Sequence, residues 1–256
     1  MCDPISMMDT TPYNYKIIGI VGGMGPSATV DLMDKIIRCT PAVTDQQHLK
    51  MVIEHNPQIP DRTKHLLGDG ADPTDAIYTT CKKLEASGAD MIAIPCNTAH
   101  AFFARIQPRL SIPIVNMLQA TVEFLQHAHP DIRKVGLLAT SGTIKSGVYR
   151  DVFEATDYDL LVPEQGFQQK LMNVIYGDKG IKAGYTDGEC LEEFQLVLDH
   201  LTNKGAEIII LGCTELPLLK LNTLTTRSGA EPTVFVDPTW VLARKCVDIS
   251  MQVEEP

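Results

Sequence analysis

The chain has 256 residues, 44% of them hydrophobic and 21% charged, with a formal net charge of −10. That length and apolar content suit one large or two small packed domains, and exclude a disordered or fibrous chain. The negative balance argues against a nucleic-acid surface, which needs a basic stripe, and no apolar run approaches the roughly 18 residues of a membrane span.

Residues 1–14 read as a leader, with neither the basic start nor the apolar centre of a secretory signal. KIIGIVGG (16–23) predicts a first strand ending in glycines. ATVDLMDKIIRC (28–39) follows as a helix, with Val30, Met33, Ile36 and Ile37 at helical spacing. Further strands are predicted at 50–56, 90–95, 112–117, 134–140, 207–212 and 233–237. Helical stretches separate them, such as 191–205, whose stripe of Phe194, Val197, Leu198 and Leu201 stops at Gly205. Continuous apolar strands alternating with helices imply parallel sheets covered on both faces, so the class is α/β.

Two stretches repeat each other: GADMIAIPCNTAH (88–100) and GAEIIILGCTELP (205–217). KIIGIVGGMGPSAT (16–29) likewise resembles RKVGLLATSGTIKSG (133–147). Gly19 and Cys96 are 77 residues apart, as are Gly136 and Cys213. Two pseudo-symmetric αβα half-domains follow, at 15–115 and 116–224, with 225–256 packing back on the first half. Ligands of parallel sheets sit beyond the carboxyl ends of the strands. Facing halves would therefore put Cys96 and Cys213 on opposite walls of one cleft. An acid and a base on opposite faces of a carbon are what inversion next to a carbonyl requires. A thiol ordinarily titrates near about 8.5, and a helix N-terminus lowers that value; NTAHAFFARIQ after Cys96 and TELPLL after Cys213 read as such helix starts.

GGMGPSAT, NPQIPDRT, PCNTAH, LLATSGTIKSGVY, IKAG and GCTELPLL together resemble the aspartate racemase branch of the aspartate/glutamate racemase superfamily, over residues 16–240. The resemblance implies two α/β domains, catalysis without pyridoxal phosphate or any other cofactor, and Cys96 and Cys213 as acid and base. It implies Arg62 as carboxylate binder and Lys182 as substrate binder, with Met24, Asn97 and Thr98 lining the site. Glutamate racemases usually carry an Asp-Ser-Gly first loop, and Gly-Met-Gly here favours aspartate.

The residues themselves support the clamp: Arg62 lies 43 positions after Gly19, and Lys182 lies 46 after Gly136. Two cations from opposite halves match two carboxylates, arginine as a fork and lysine as a point charge. Thr140, with Ser141 and Thr143, forms the second half's counterpart of the GGMGP loop, and Thr214 and Glu215 follow the second thiol. Glu215 either orients Cys213 or caps a helix, and the sequence leaves both open. Gly22, Gly23 and Gly25 lack the spacing of a dinucleotide or P-loop fingerprint. Cys96 and His100 share metal-ligand spacing, but no second pair completes a site, so no metal is expected.

Seven cysteines, an odd number without dense spacing, suggest reduced thiols and a cytoplasmic protein. The expected partners are a small amino-acid substrate and, at most, a second copy of the chain in a homodimer. Three rivals stand beside aspartate: a racemase of glutamate, hydantoin or broad amino-acid specificity, a non-catalytic amino-acid-binding module, and a Cys96–His100 hydrolase.

Overall fold

The computed structural model describes residues 14–224 and 233–252. The leader up to residue 13, with Cys2, and the segments 225–232 and 253–256 lie outside the described residues. Strands β1 (Ile18–Gly22), β2 (Met51–His55) and β3 (Met91–Ala93) form a parallel sheet in the order β2-β1-β3. Helices α1 (Pro26–Cys39), α2 (Arg62–Leu67) and α3 (Thr74–Ala86) connect them. After β3 the chain passes through a 3-10 helix (Asn97–Phe102), short α4 (Phe103–Ile106) and α5 (Met117–Ala128). The second sheet repeats the plan. It is built from β4 (Lys134–Ala139), β5 (Asp159–Leu161), β6 (Ile208–Gly212) and β7 (Val234–Val236), all parallel, in the order β5-β4-β6-β7. Its helices are α6 (Ser141–Ser146), α7 (Val148–Phe153), α8 (Gln165–Tyr176) and α9 (Glu189–Asn203). β1 and β6 are buried along their whole length, as strands covered on both faces must be.

The repeated Gly-Ala-acid triplet has a mechanical cause. Gly88 and Gly205 both turn the chain at positive φ, 82° and 91°, after α3 and α9. The next residue's amide then bonds back into the helix, Ala89 to the Leu84 carbonyl and Ala206 to the Leu201 carbonyl, each at 3.1 Å. The acid ties the incoming strand to its neighbour: Asp90 accepts the Ile17 amide at 2.6 Å, and Glu207 accepts the Arg133 and Lys134 amides at 2.7 Å. A methyl group on Gly19 would sit 2.9 Å from the Ala89 Cβ, and one on Gly136 would sit 3.1 Å from the Ala206 Cβ. Both glycines let the helix-to-strand corner press against the central strand of its sheet.

Two local expectations change. The strand predicted at 112–117 is reduced to one parallel bridge, Ile92 to Ile114. Pro113 has no amide to donate, and α5 begins at Met117 under an Asn116 side chain that accepts the Leu118 and Gln119 amides. The short edge strand β5 had no sequence signal, because its three residues carry no β-branched side chain. After the second half, β7 extends the second sheet. The last helix, α10 (Pro238–Met251), packs against α1 and α5, and its Leu242, Ala243 and Cys246 share a core with Ile18 and Ile36. No helix among the described residues is long and apolar enough to cross a membrane.

Candidate active site

Four loops at the carboxyl ends of β1, β3, β4 and β6 converge on one small cavity. All ten site residues expected from the sequence border it: Met24 from the first loop, Cys96, Asn97 and Thr98 from the second, Thr140 from the third, and Cys213, Thr214 and Glu215 from the fourth. Arg62, the first residue of α2, and Lys182, in a single 3-10 turn after α8, complete the wall. Thr63 and Tyr176 also line it. The two halves meet closely here: a methyl on Gly142, in α6, would lie 2.7 Å from the Thr63 Cα.

Both thiols are buried, Cys96 at 7% and Cys213 at 6% exposure, and their surroundings differ. Cys213 donates to Glu215 Oε2 at 3.1 Å, while the other oxygen of that carboxylate is paired with the Lys182 ammonium. Burial, and then the Glu215 charge, hold the Cys213 thiol well above its ordinary range, with Lys182 opposing them. This corrects the expectation of a helix-lowered thiol at Cys213. The chain after Cys213 makes only one 3-10 turn, Leu216–Leu218, and that after Cys96 opens as a 3-10 helix. Neither presents the aligned peptide dipoles of a long α-helix.

The cations are held by their surroundings. Arg62, 8% exposed, donates from one terminal nitrogen to the carbonyls of Ile59 at 3.2 Å and Pro60 at 3.0 Å. Burial opposes its charge, but neighbouring Cys96, Asp61 and Tyr176 more than offset this and raise its pKa. Lys182 behaves likewise: burial works against the ammonium, and Glu215 and then Cys213 outweigh it. Gly25 leaves room for this pair, since a Cβ there would lie 2.8 Å from Glu215 Oε1. Glu215 thus accepts from the thiol and pairs with the lysine, and its side chain makes no capping hydrogen bond to the turn that follows.

Four threonine hydroxyls make a polar seam between the halves. Thr98 meets Thr140 at 3.1 Å and Thr143 at 2.8 Å, and Thr63 donates to Thr140 at 3.1 Å. Tyr149 donates to Asn97 Oδ1 at 2.7 Å, leaving Asn97 Nδ2 buried without a partner among the described residues, as is Arg62 Nε. Buried donors of this kind suit a ligand carboxylate. Tyr176, whose hydroxyl reaches Asp61 at 3.3 Å and Thr63 at 3.4 Å, joins α8 to α2, and burial raises its pKa. Thr63 and Tyr149 stood inside recognised motifs. Tyr176 carried no sequence signal.

His100 is excluded as a base for Cys96. Its Nε2 accepts the Met117 amide at 3.1 Å, so Nδ1 carries the proton, which it donates to the Cys96 carbonyl at 3.0 Å. Burial lowers its pKa and keeps it neutral. Both ring nitrogens are spent on the backbone, so the hydrolase reading has no base. No group of three or more His, Cys, Asp or Glu residues able to hold a metal occurs among the described residues.

The Asp/Glu/hydantoin racemase family matches residues 21–246. An aspartate racemase of Picrophilus torridus superposes with a TM-score of 0.78 at 28% identity, covering 92% of this chain and 94% of that one. The broad-specificity amino-acid racemase RacX of Bacillus subtilis is 29% identical over 206 residues, 78% of this chain and 86% of the relative. A glutamate racemase of Francisella tularensis in complex with D-glutamate shares the fold, with a TM-score of 0.67 at 19% identity, covering 92% of this chain and 81% of that one.

Proposed function

The chain belongs to the Asp/Glu/hydantoin racemase family and is an amino-acid racemase, and from that premise we propose that it interconverts L- and D-aspartate by two opposed thiols without a cofactor. The observation that carries the reading is the shared cavity: two thiols at equivalent positions of two similar sheets, with one cation from each half, border the same space. Arg62 holds one carboxylate as a fork and Lys182 holds the other as a point charge. One thiol, ionised, takes the α-proton while the other delivers a proton to the opposite face, and the roles exchange with the hand of the substrate. The two cations and the partnerless Asn97 amide stabilise the charge that builds up on the carboxylate as the proton leaves. We place the units carrying this machinery at 15–115 and 116–224. The six described cysteines are unpaired, which fits a reducing cytoplasm.

Isotope labelling tests the mechanism. In deuterated water L-aspartate should give D-aspartate labelled at the α-carbon while the remaining L-aspartate stays mostly unlabelled at early times. The proton is removed on one face, and a different, solvent-equilibrated thiol supplies deuterium on the other. Cys96→Ala and Cys213→Ala should each abolish racemisation in a folded protein. Equal early labelling of both enantiomers, or near-wild-type turnover of either variant, would refute two opposed thiols. Broad amino-acid specificity is the second reading, favoured by the likeness to RacX across 86% of that protein. A panel of L- and D-amino acids decides: aspartate first by a wide margin supports the clamp, and comparable rates for neutral amino acids support the alternative.

A further inference from the structure

A second cavity lies away from the thiols. It has a volume of about 430 Å³, lies in the second half between α6, α7 and β5, and falls within the ~300–1,000 Å³ typical of small-molecule sites. Its floor is apolar and buried, with Leu137 and Phe153, and its wall carries three aromatic rings. Tyr149, Phe153 and Tyr158 stand in tilted contact, with centroids 6.4 and 6.1 Å apart. Three charged side chains, Arg150, Glu154 and Asp159, stand exposed at its rim. None of the three makes an ion pair among the described residues, although Arg150 and Glu154 are one helical turn apart.

The cavity also shares its wall with the active site. Tyr149, fully buried, borders the cavity and donates its hydroxyl to Asn97, the residue after Cys96. Thr143 lines it too, and its hydroxyl bonds those of Thr98 and Thr140. The cavity is thus bordered by two side chains that hold three residues around the first cavity.

We propose that this cavity is a second, regulatory site for an α-amino acid with an aromatic side chain. The ring packs against Tyr149, Phe153 and Tyr158. Arg150 takes the carboxylate, and Glu154 and Asp159 take the ammonium. Occupancy moves Tyr149 and Thr143, and so changes the affinity for substrate in the first site. Linkage makes the effect reciprocal: a ligand in the first site changes the affinity of the second by the same factor.

The test uses the full chain and L-phenylalanine as probe, with binding read by titration calorimetry, which needs no turnover and stands apart from the racemase assay. Wild-type protein should bind one equivalent. Arg150→Ala, a change at an exposed residue outside the active site, should weaken binding about tenfold, the scale of one lost charge-assisted contact. It should leave aspartate turnover without phenylalanine unchanged. Leu160→Trp, which fills the cavity, should abolish binding. Adding phenylalanine should shift the KM for aspartate in wild type and not in Leu160→Trp. No binding at millimolar probe would overturn the proposal, as would equal binding by wild type and both variants. One-for-one displacement of phenylalanine by aspartate would place the probe in the first site and overturn it as well.

Discussion

Replacing Arg62 by methionine keeps most of the side chain's bulk and removes its charge and its fork. Two separable costs follow from its surroundings. The first falls on stability. Arg62 donates to the Ile59 and Pro60 carbonyls, and losing two such bonds costs about 1 kcal/mol each, so about 2 kcal/mol of unfolding free energy in all. The second falls on catalysis. At 8% exposure, little water can replace the guanidinium beside an incoming carboxylate. Truncating one member of a buried, hydrogen-bonded charge pair costs roughly 2–5 kcal/mol, which is a loss of about 30- to 5,000-fold in kcat/KM for aspartate. Arg62→Lys should fall between, since the ammonium restores the charge without the two-pronged geometry. Urea unfolding reads the first cost, and initial rates with L-aspartate, followed by optical rotation, read the second. An Arg62→Met protein that stays folded and keeps kcat/KM within about threefold of wild type would refute the clamp.

Lys182→Met should lower kcat/KM on the same scale of roughly 2–5 kcal/mol and, by removing the positive charge that opposes the rise of the Cys213 thiol, move the alkaline limb of the pH profile to higher pH, a shift that Arg62→Met should not produce. Gly19→Ala and Gly136→Ala should each destabilise the fold by about 1–3 kcal/mol in urea, because the added methyl would lie 2.9 Å from the Ala89 Cβ in one case and 2.5 Å from Ile209 Cδ1 in the other; unchanged midpoints would show that the corner yields freely. Stability should also fall in alkali. Burial pushes the Cys81 and Cys246 thiols to about 12, above their value in the unfolded chain, so their contribution is whole below about pH 8.5 and is lost as pH rises towards 12. Each thiol adds about 1.4 kcal/mol of loss per pH unit in that window, and Cys246→Ala should remove one share of the slope of unfolding free energy against pH.

How much of this was legible in the sequence depended on whether a residue's role was local. The Gly-Ala-acid corners, the buried central strands and the loop residues after them were readable because turn chemistry and apolar runs act within a few positions. The family motifs carried all ten site residues to one cavity, although they span residues 24–215. What escaped was settled by neighbours distant in the chain. Tyr176 matters because α8 lays its hydroxyl beside Asp61, 115 positions earlier, and no local pattern encodes that meeting. The expected lowering of the Cys213 pKa failed for a similar reason. A stretch starting with Asn-Thr or Thr-Glu resembles a helix start, yet the tertiary context turns it into a 3-10 helix and buries Cys213 beside a carboxylate.

The two halves agree where they build the scaffold and differ where they border the shared cavity. Cys96 is followed by Asn97 and Thr98, and Cys213 by Thr214 and Glu215, at matching positions of the repeat. Thr98 spends its hydroxyl on the seam of threonines, whereas Glu215 spends its carboxylate on Lys182 and Cys213. A perfectly symmetric cleft would suit a symmetric ligand, and aspartate is not one. It brings two carboxylates, and in the proposed complex Arg62 and Lys182 stand beside them as the two cations of the cavity. In the proposed reaction the duplicated thiols serve the one plane about which the two enantiomers are mirror images, the plane through the α-carbon. The unmatched residues beside them serve everything about the substrate that the mirror does not exchange. Divergence after the thiols is therefore what a duplicated scaffold needs before it can hold an asymmetric molecule and still attack it from either side.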